Sequence, residues 1–435
     1  MFDILPKFQD AALITILCIL PLLILNHNLH QQKQKQPQGC RKLNLPPEKS
    51  NLHDEHSPKY AQGVPETHHD PNGKPSWRIK ALFTYPIKSC AGVELNVSDV
   101  VPTGLKYDRQ FCFAEYVVPK QQDAEPYWTA RTLRDKRFER MALIRSEVWV
   151  PDSRVGSYAP DLDEVKSEGV MVISYPRTFS GAMSFLGELG IALGVISKEH
   201  SFQIPLSPPP DNLSSYPNTP VKIWKDFPMA YNYAHHLPSS LYDYLGFDSG
   251  SQLTLFRVNP SHHREIFRCA PPKQTLGFQT VTGFADAYPI HLLSLSSVRD
   301  VGSRCADIPR LSIRRFRANI IVQGPGAFEE DHWKRIGIGG AGGGVEIHTV
   351  CRTVRCRLPN VDPDTGVKHP SEPDRTLRGY RRIDPGCLTY ACLGMQLVPA
   401  VERFRISVDD PISVLETGEH FYIKMLAPGE RVPGE

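Results

Sequence analysis

Apolar and polar positions alternate every second residue in several short runs of this chain, and each such run predicts a strand. In 77–85, Ile79, Ala81, Phe83 and Tyr85 share one face, and Pro86 ends the run. Residues 110–116, 221–224, 253–258 and 345–350 follow the same period, and 412–414 and 421–423 extend it into the tail. Residues 314–322 read as a strand too, with Arg317 and Asn319 on one face and Ile320 and Val322 on the other. Helical stretches are few. Residues 180–194 carry Met183, Phe185, Leu186, Leu189 and Leu193 at helical spacing, 237–245 predict a short helix, and Ser294 is placed to cap another. The proline- and serine-rich stretch 204–220 reads as an irregular inserted loop. Residues 337–344, GIGGAGGG, contain a literal G-x-G-x-x-G, but strand period rather than a helix follows, so a hairpin turn is expected there and not a nucleotide fingerprint. The fold class is mainly β (α+β).

The amino end has a different texture. Residues 11–25 are uncharged and almost wholly apolar; a helix of that length covers about 22 Å, against roughly 30 Å for a bilayer core. Asp3 and Asp10 flank the single Lys7, and no small-residue cleavage site follows, so 1–30 reads as an uncleaved membrane anchor rather than a signal peptide. Lys33, Lys35, Arg41 and Lys42 come next, which places the bulk of the chain on the cytosolic side. A short anchor with a basic flank suits the mitochondrial outer membrane, with the endoplasmic reticulum as the alternative. Residues 31–76, rich in Gln, His, Pro, Lys and Asp, read as a disordered tether.

Charge and cysteine usage narrow the function. The 50 basic and 47 acidic residues among 435 leave a net +3, too balanced for a nucleic-acid binder that works by neutralising phosphates. Ten cysteines spread over this length point to a reducing compartment rather than a disulfide framework.

The candidate chemistry gathers around Cys356. Arg355 and Arg357 flank it and Arg352 lies one short strand-length upstream, so a thiolate there sits in a positive field that also attracts anions. Asp362-Pro363-Asp364-Thr365-Gly366 is turn chemistry, which puts Cys356 where a strand leaves the sheet. Near the amino end of the folded part, Lys88 and Ser89 offer a cation and a hydroxyl suited to phosphate. The equally spaced pairs Cys351/Cys356 and Cys387/Cys392 are formally compatible with zinc, although the arginine-rich setting is unlike a zinc knuckle. The histidine pairs 68/69, 235/236 and 262/263 read as solvated surface.

Arg355-Cys356, five residues, then Asp-Pro-Asp-Thr-Gly resembles the molybdenum-cofactor sulfurase C-terminal (MOSC) family, especially its branch containing the mitochondrial amidoxime reducing component. Tyr85-Pro86-Ile87-Lys88-Ser89-Cys90, Asp108-Arg109, the segment 284–294 ending in Leu-Leu-Ser, and Phe316-Arg317-Ala318-Asn319 carry the same resemblance. It implies an amino-terminal MOSC β-barrel region over 77–258, with the insertion, and a carboxyl-terminal MOSC β-barrel over 259–435. It further implies a molybdenum–molybdopterin cofactor with Cys356 as metal ligand and catalytic residue. Lys88, Ser89, Arg109, Arg317, Asn319 and Arg355 would hold the pterin and its phosphate, Asn319 through a pterin edge. The implied activity is reduction of a small N-hydroxylated, amidoxime-type substrate, with electrons from cytochrome b5 and its NADH reductase. Cys351 lies five positions before Cys356 where the family more often has a cysteine three before its ligand, and Leu393-Gly394-Met395-Gln396 stands where the amidoxime-reducing relatives commonly have Phe-Gly-Gln-Tyr, so neither role is transferred. A cofactor-binding or sulfur-carrier protein without turnover and a zinc-stabilised β-domain are the alternatives. The 76 residues ahead of Trp77 leave no room for the pyridoxal-phosphate domain of full sulfurases.

Overall fold

The computed structural model describes residues 36–120, 125–179, 181, 183–247, 252–339 and 344–424. The expected anchor lies outside these residues, and among the described ones no helix is long and apolar enough to cross a membrane. Strands dominate, as the alternation predicts.

Two sheets position everything that follows. The strands Asn218–Lys222, Met229–Asn232, Leu253–Val258, Phe111–Val117 and Tyr127–Ala130 close into a barrel filled by Cys112, Ala114, Val221, Phe256 and Val258. An eight-stranded sheet runs, in spatial order, Ile412–Thr417, Trp333–Ile338, Val345–Arg355, Ala391–Pro399, Ile290–Ser294, Ile320–Gln323, Arg78–Thr84 and Val93–Leu95. Arg78–Thr84 pairs antiparallel with Ile320–Gln323, so an amino-terminal strand is built into the carboxyl-terminal sheet. Ile290–Ser294 is buried at all five positions because it has neighbours on both edges and packing on both faces.

Four expectations change. Residues 36–76 are not a disordered tether: Cys40–Lys42 pairs with the strand Arg145–Pro151, and Leu52, Glu55 and Tyr60 are buried. A few well-placed apolar side chains anchor this polar stretch, which window composition cannot register. The loop 204–220 contains paired backbone at both ends, in Glu199–Pro205 and Asn218–Lys222, and Pro220 is tolerated in a strand, opposite Met229. Residues 421–423 form no strand. The segment 314–322 is a strand only over Ile320–Gln323; Ile313–Phe316 is a 3-10 turn closed by Arg317 at φ +56°, so Arg317 and Asn319 do not share a strand face. By contrast, the strands on either side of 339–344 do pair antiparallel, with no helix following; residues 340–343 of the expected turn lie outside the described ones.

Candidate functional site

Cys356 follows the last residue of Val345–Arg355 directly, half-exposed where the chain leaves the sheet. Two irregularities shape that strand end. Against Ala391–Pro399, Thr349 and Cys351 face Leu397 and Gln396, whereas Arg352 and Val354 face Met395 and Cys392. The first shift puts an extra residue on the arginine strand and the second puts one on its partner, at Leu393 and Gly394. Gly394 has φ +78°, the left-handed conformation that a glycine bulge needs. Such bulges re-aim side chains. As a result residues 352–356 all border one cavity of about 650 Å³.

That cavity is where the sequence-derived residues meet. Lys88, Ser89, Arg109, Arg317, Asn319, Arg355 and Cys356 all line it, although they come from segments up to 268 positions apart (356 − 88). Nine Lys or Arg side chains border it against two carboxylates, Asp226 and Asp286, a formal excess of seven positive charges. A concave site with that balance attracts anions strongly. Ser89, Arg109 and Arg317 have φ of +68°, +46° and +56°, and non-glycine residues rarely adopt that region unless their surroundings hold them there.

The holding groups are buried and polar. Asp108 accepts from the Tyr85 amide at 2.8 Å, from Asn319 Nδ2 at 2.9 Å and from Arg109 Nη1 at 2.6 Å. Asn319 Oδ1 accepts from Arg109 Nη1 at 3.0 Å and from the His291 amide at 3.1 Å, while Nδ2 also donates to the Phe83 carbonyl at 3.0 Å. Both amide donors and both acceptor positions of Asn319 are therefore used inside the protein. The expectation that Asn319 contacts a pterin edge is corrected: it fixes Arg109 instead. Arg109 and Arg317 both lie over the Tyr85 ring, at 4.4 and 4.3 Å, and Arg109 Nη2 donates to the Arg317 carbonyl at 3.0 Å.

Charge at the site is already partly balanced. Lys88 Nζ donates to the Phe284 carbonyl at 2.8 Å and is paired with Asp286. Burial pushes Lys88 down and Asp286 pulls it back; burial pushes Asp286 up, but Lys88 and Arg134 outweigh it and hold the carboxyl below the usual range. Burial also pushes Arg317 and Arg355 down to about 10, with Arg109 adding to the shift at Arg317 and Cys356 opposing it at Arg355. Both remain cations at neutral pH.

Sequence reasoning missed three contributors. Asp286 pairs with Lys88, Tyr85 carries two guanidinium groups, and His291 lines the cavity with Nε2 unpartnered. Burial, followed by Arg355 and Arg109, drives His291 well below its usual pKa, so its ring is neutral. A lone histidine within the apolar run Ile290-His291-Leu292-Leu293 was the available signal. Among the described residues no grouping of three or more Cys, His, Asp or Glu could hold a metal ion, and Cys351 and Cys392 are packed in the interior. The zinc alternative has no site there.

Whether the cavity suits an anionic cofactor can be tested on its unused donors. Arg317 Nη2, Arg352 Nε and Arg355 Nε are buried without partners. Orphaned donors of this kind are costly, on the order of 1–3 kcal/mol each, and a phosphate-bearing, sulfur-ligated group beside a free thiol would use them. The residues present fit it.

The fold and site thus define a two-part β protein with a thiol on the rim of a cationic cavity. Comparison with known proteins agrees. The MOSC N-terminal beta barrel domain matches residues 76–171 and the MOSC domain matches residues 279–413. This chain is a MOSC-domain protein. It is 40% identical over 102 residues to mitochondrial amidoxime-reducing component 1 of Mus musculus, covering 23% of this chain and 28% of the relative. To the Homo sapiens protein of the same name it is 38% identical over 126 residues, 29% and 33% of the two chains. It is 24% identical over 314 residues to the molybdenum cofactor sulfurase of Solanum lycopersicum, 70% of this chain and 31% of that one. The matches thus span about a third or less of the relatives' lengths.

Proposed function

We propose that this chain is a molybdenum-cofactor-dependent oxidoreductase that reduces small N-hydroxylated, amidoxime-type compounds. The observation that carries the proposal is the convergence of Cys356 and its neighbour Arg355 with five distant sequence-derived residues on one cationic cavity with unused donors. Cys356 would hold the metal through its thiolate, a soft ligand suited to it. Arg317 and Arg355 would bind the cofactor's anionic groups through their free nitrogens, beside Lys88 and Ser89. Asp108 and Asn319 would act behind them, keeping Arg109 in its left-handed conformation. When bound, the cofactor would supply two-electron oxygen-atom transfer chemistry, while the protein supplies placement and charge.

The proposed electron donors are cytochrome b5 and its NADH reductase, and the proposed location is the mitochondrial outer membrane through 11–25. The names of the relatives, which mention mitochondria and amidoxime reduction, support the location and the activity. A second reading, cofactor binding or sulfur transfer without turnover, draws on the longer match to the cofactor sulfurase. Elemental mass spectrometry of the purified chain, followed by NADH-driven benzamidoxime reduction with cytochrome b5 and its reductase added, separates them. Molybdenum with turnover is expected. Molybdenum without turnover supports the carrier, and a chain that retains no molybdenum overturns both.

A further inference from the structure

Of the three arginines with an unused buried nitrogen, the cofactor reading calls on Arg317 and Arg355. Arg352 is the third, and it is built in differently. It is only 3% exposed, it borders the cavity, and its Nε has no partner. The other two nitrogens are engaged: Nη1 donates to the His420 carbonyl at 3.1 Å and lies 3.5 Å from Asp384 Oδ2, while Nη2 donates to Glu419 Oε2 at 3.3 Å. The guanidinium is therefore held in one orientation with a single N–H left over.

What holds it is the segment 418–424, which has no regular structure and brings Tyr422 and the exposed Lys424 to the cavity wall. Asp384, wholly buried, accepts from the Tyr422 amide at 2.8 Å and from the Gly386 amide at 2.9 Å, so the carboxylate that faces Arg352 also fastens this segment. The next residue along the strand is already satisfied, since Thr353 Oγ1 accepts from Gln396 Nε2 at 3.0 Å. Tyr288 and Tyr422 pack in one cluster with Cys351, the residue before Arg352, and both line the cavity. This part of the wall thus presents two cations, Arg352 and Lys424, beside two aromatic rings.

We propose that Arg352 and Lys424 form a carboxylate-binding subsite of the cavity, and that the compound reduced is an N-hydroxylated one bearing a carboxylate on an aromatic body. The choice of compound rests on the reductase reading above; the subsite itself does not. One fixed N–H and one mobile ammonium match the two oxygens of a carboxylate, each bond being charge-assisted. A phosphate, with three strong acceptor oxygens, would leave one unmatched. Asp384 already offsets part of the positive charge, which favours a monoanion over a dianion. Arg352 precedes Cys356 by four residues, roughly 13 Å along a strand. The arginine stem takes up part of that span, and one ring flanked by Tyr288 and Tyr422 fills the rest, with the N-hydroxylated end toward Cys356.

The test uses the full chain and two compounds that differ by one group, benzamidoxime and 4-carboxybenzamidoxime, with binding read by calorimetry and turnover read separately. The carboxylated compound is expected to bind about tenfold or more tightly than its parent, and on reduction to show the difference in KM with kcat unchanged. Arg352→Gln should abolish this preference while benzamidoxime binds as before, and Arg352→Lys should restore only part of it. Lys424→Gln, at an exposed position that spares the interior, should cut the preference several-fold. Lys225→Gln is the control for the general field: it removes a cavity cation next to Trp224, which lies against Arg134, and should leave the preference intact. Equal affinities in the unaltered chain, or an equal loss in Lys225→Gln, overturn the subsite. Preferential binding of the carboxylate without reduction of either compound supports the subsite and overturns the reductase reading, whereas reduction of both with equal KM does the reverse.

Discussion

Arg109 and Arg317 share the ring of Tyr85, at 4.4 and 4.3 Å from its centroid, and a hydrogen bond of 3.0 Å runs from the first guanidinium to the backbone of the second. Two like charges are thereby held close with a single carboxylate, Asp108, paired to the first of them, and the aromatic face lowers the remaining cost. Cation–π attraction at a desolvated site is worth about 2 kcal/mol. Tyr85→Leu should therefore release both arginines and lower the molybdenum retained per chain by roughly tenfold or more, an effect of about 1.4 kcal/mol or above. Tyr85→Phe should stay near wild type, because the hydroxyl makes only a long bond of 3.4 Å to the Ala318 carbonyl. Equal losses in both variants would show that the ring face is not what matters. Elemental analysis after dialysis makes the comparison.

Cys356→Ala should abolish molybdenum retention and benzamidoxime reduction while leaving the melting temperature within a degree or two, since the side chain sits at the cavity rim. Cys351→Ala should do the opposite. It leaves a small void in a packed interior at a cost of about 1 kcal/mol, with much of the turnover preserved. The reverse pattern would move the ligand to the other thiol.

Glu330 predicts a pH dependence of stability. It is fully buried and accepts from Ser297 Oγ at 2.7 Å, while Oε2 has no partner. Burial, with Asp331 adding, pushes its carboxyl up from 4.5 to about 7. A folded-state value above the unfolded one means that the folded chain binds the proton more tightly. Its stabilising effect is complete below pH 4.5 and is lost as pH rises to about 7, by up to about 3 kcal/mol. Glu330→Gln should flatten the stability profile across that window, whatever its absolute stability. Chemical denaturation at stepped pH reads this, and an unaltered slope in the variant would sink the assignment.

Gly394→Ala is expected to destabilise the chain by about 1–3 kcal/mol, the usual cost of a left-handed non-glycine residue in a closed site. A Cβ there would approach His291 Nε2 and the Leu292 carbonyl to 2.6 Å. Because His291 lines the cavity, cofactor retention should fall along with the melting temperature. Retention that is unchanged in a destabilised variant would remove His291 from the site.

Much of the strand pattern was legible because alternation reports which faces are buried: Leu253–Val258 and Arg78–Thr84 stand almost where the period put them. Alternation does not report partners. Hence nothing in 77–85 revealed that its neighbour would be Ile320–Gln323, and nothing in the polar stretch 36–76 revealed the short pairing at Cys40–Lys42. At the site, motif resemblance found the residues that come together, but not how they are used. Asn319 is consumed by internal hydrogen bonds, and Arg317 leaves the expected strand through a backbone turn, because both depend on contacts far away in sequence. Asp286 and His291 were hidden in otherwise apolar or loop-like segments, where a single polar residue carries little signal.

The pairing of Arg78–Thr84 with Ile320–Gln323, reinforced by that of Val97–Val101 with Phe404–Ser407, has a consequence for how this protein can be inherited and rearranged. Although two family signatures divide the chain lengthwise, neither stretch can be excised, swapped or shuffled as a portable piece. Separation would strip ladder partners from both and open the cavity along its seam. A chain broken between the two regions would be expected to lose the fold of both together.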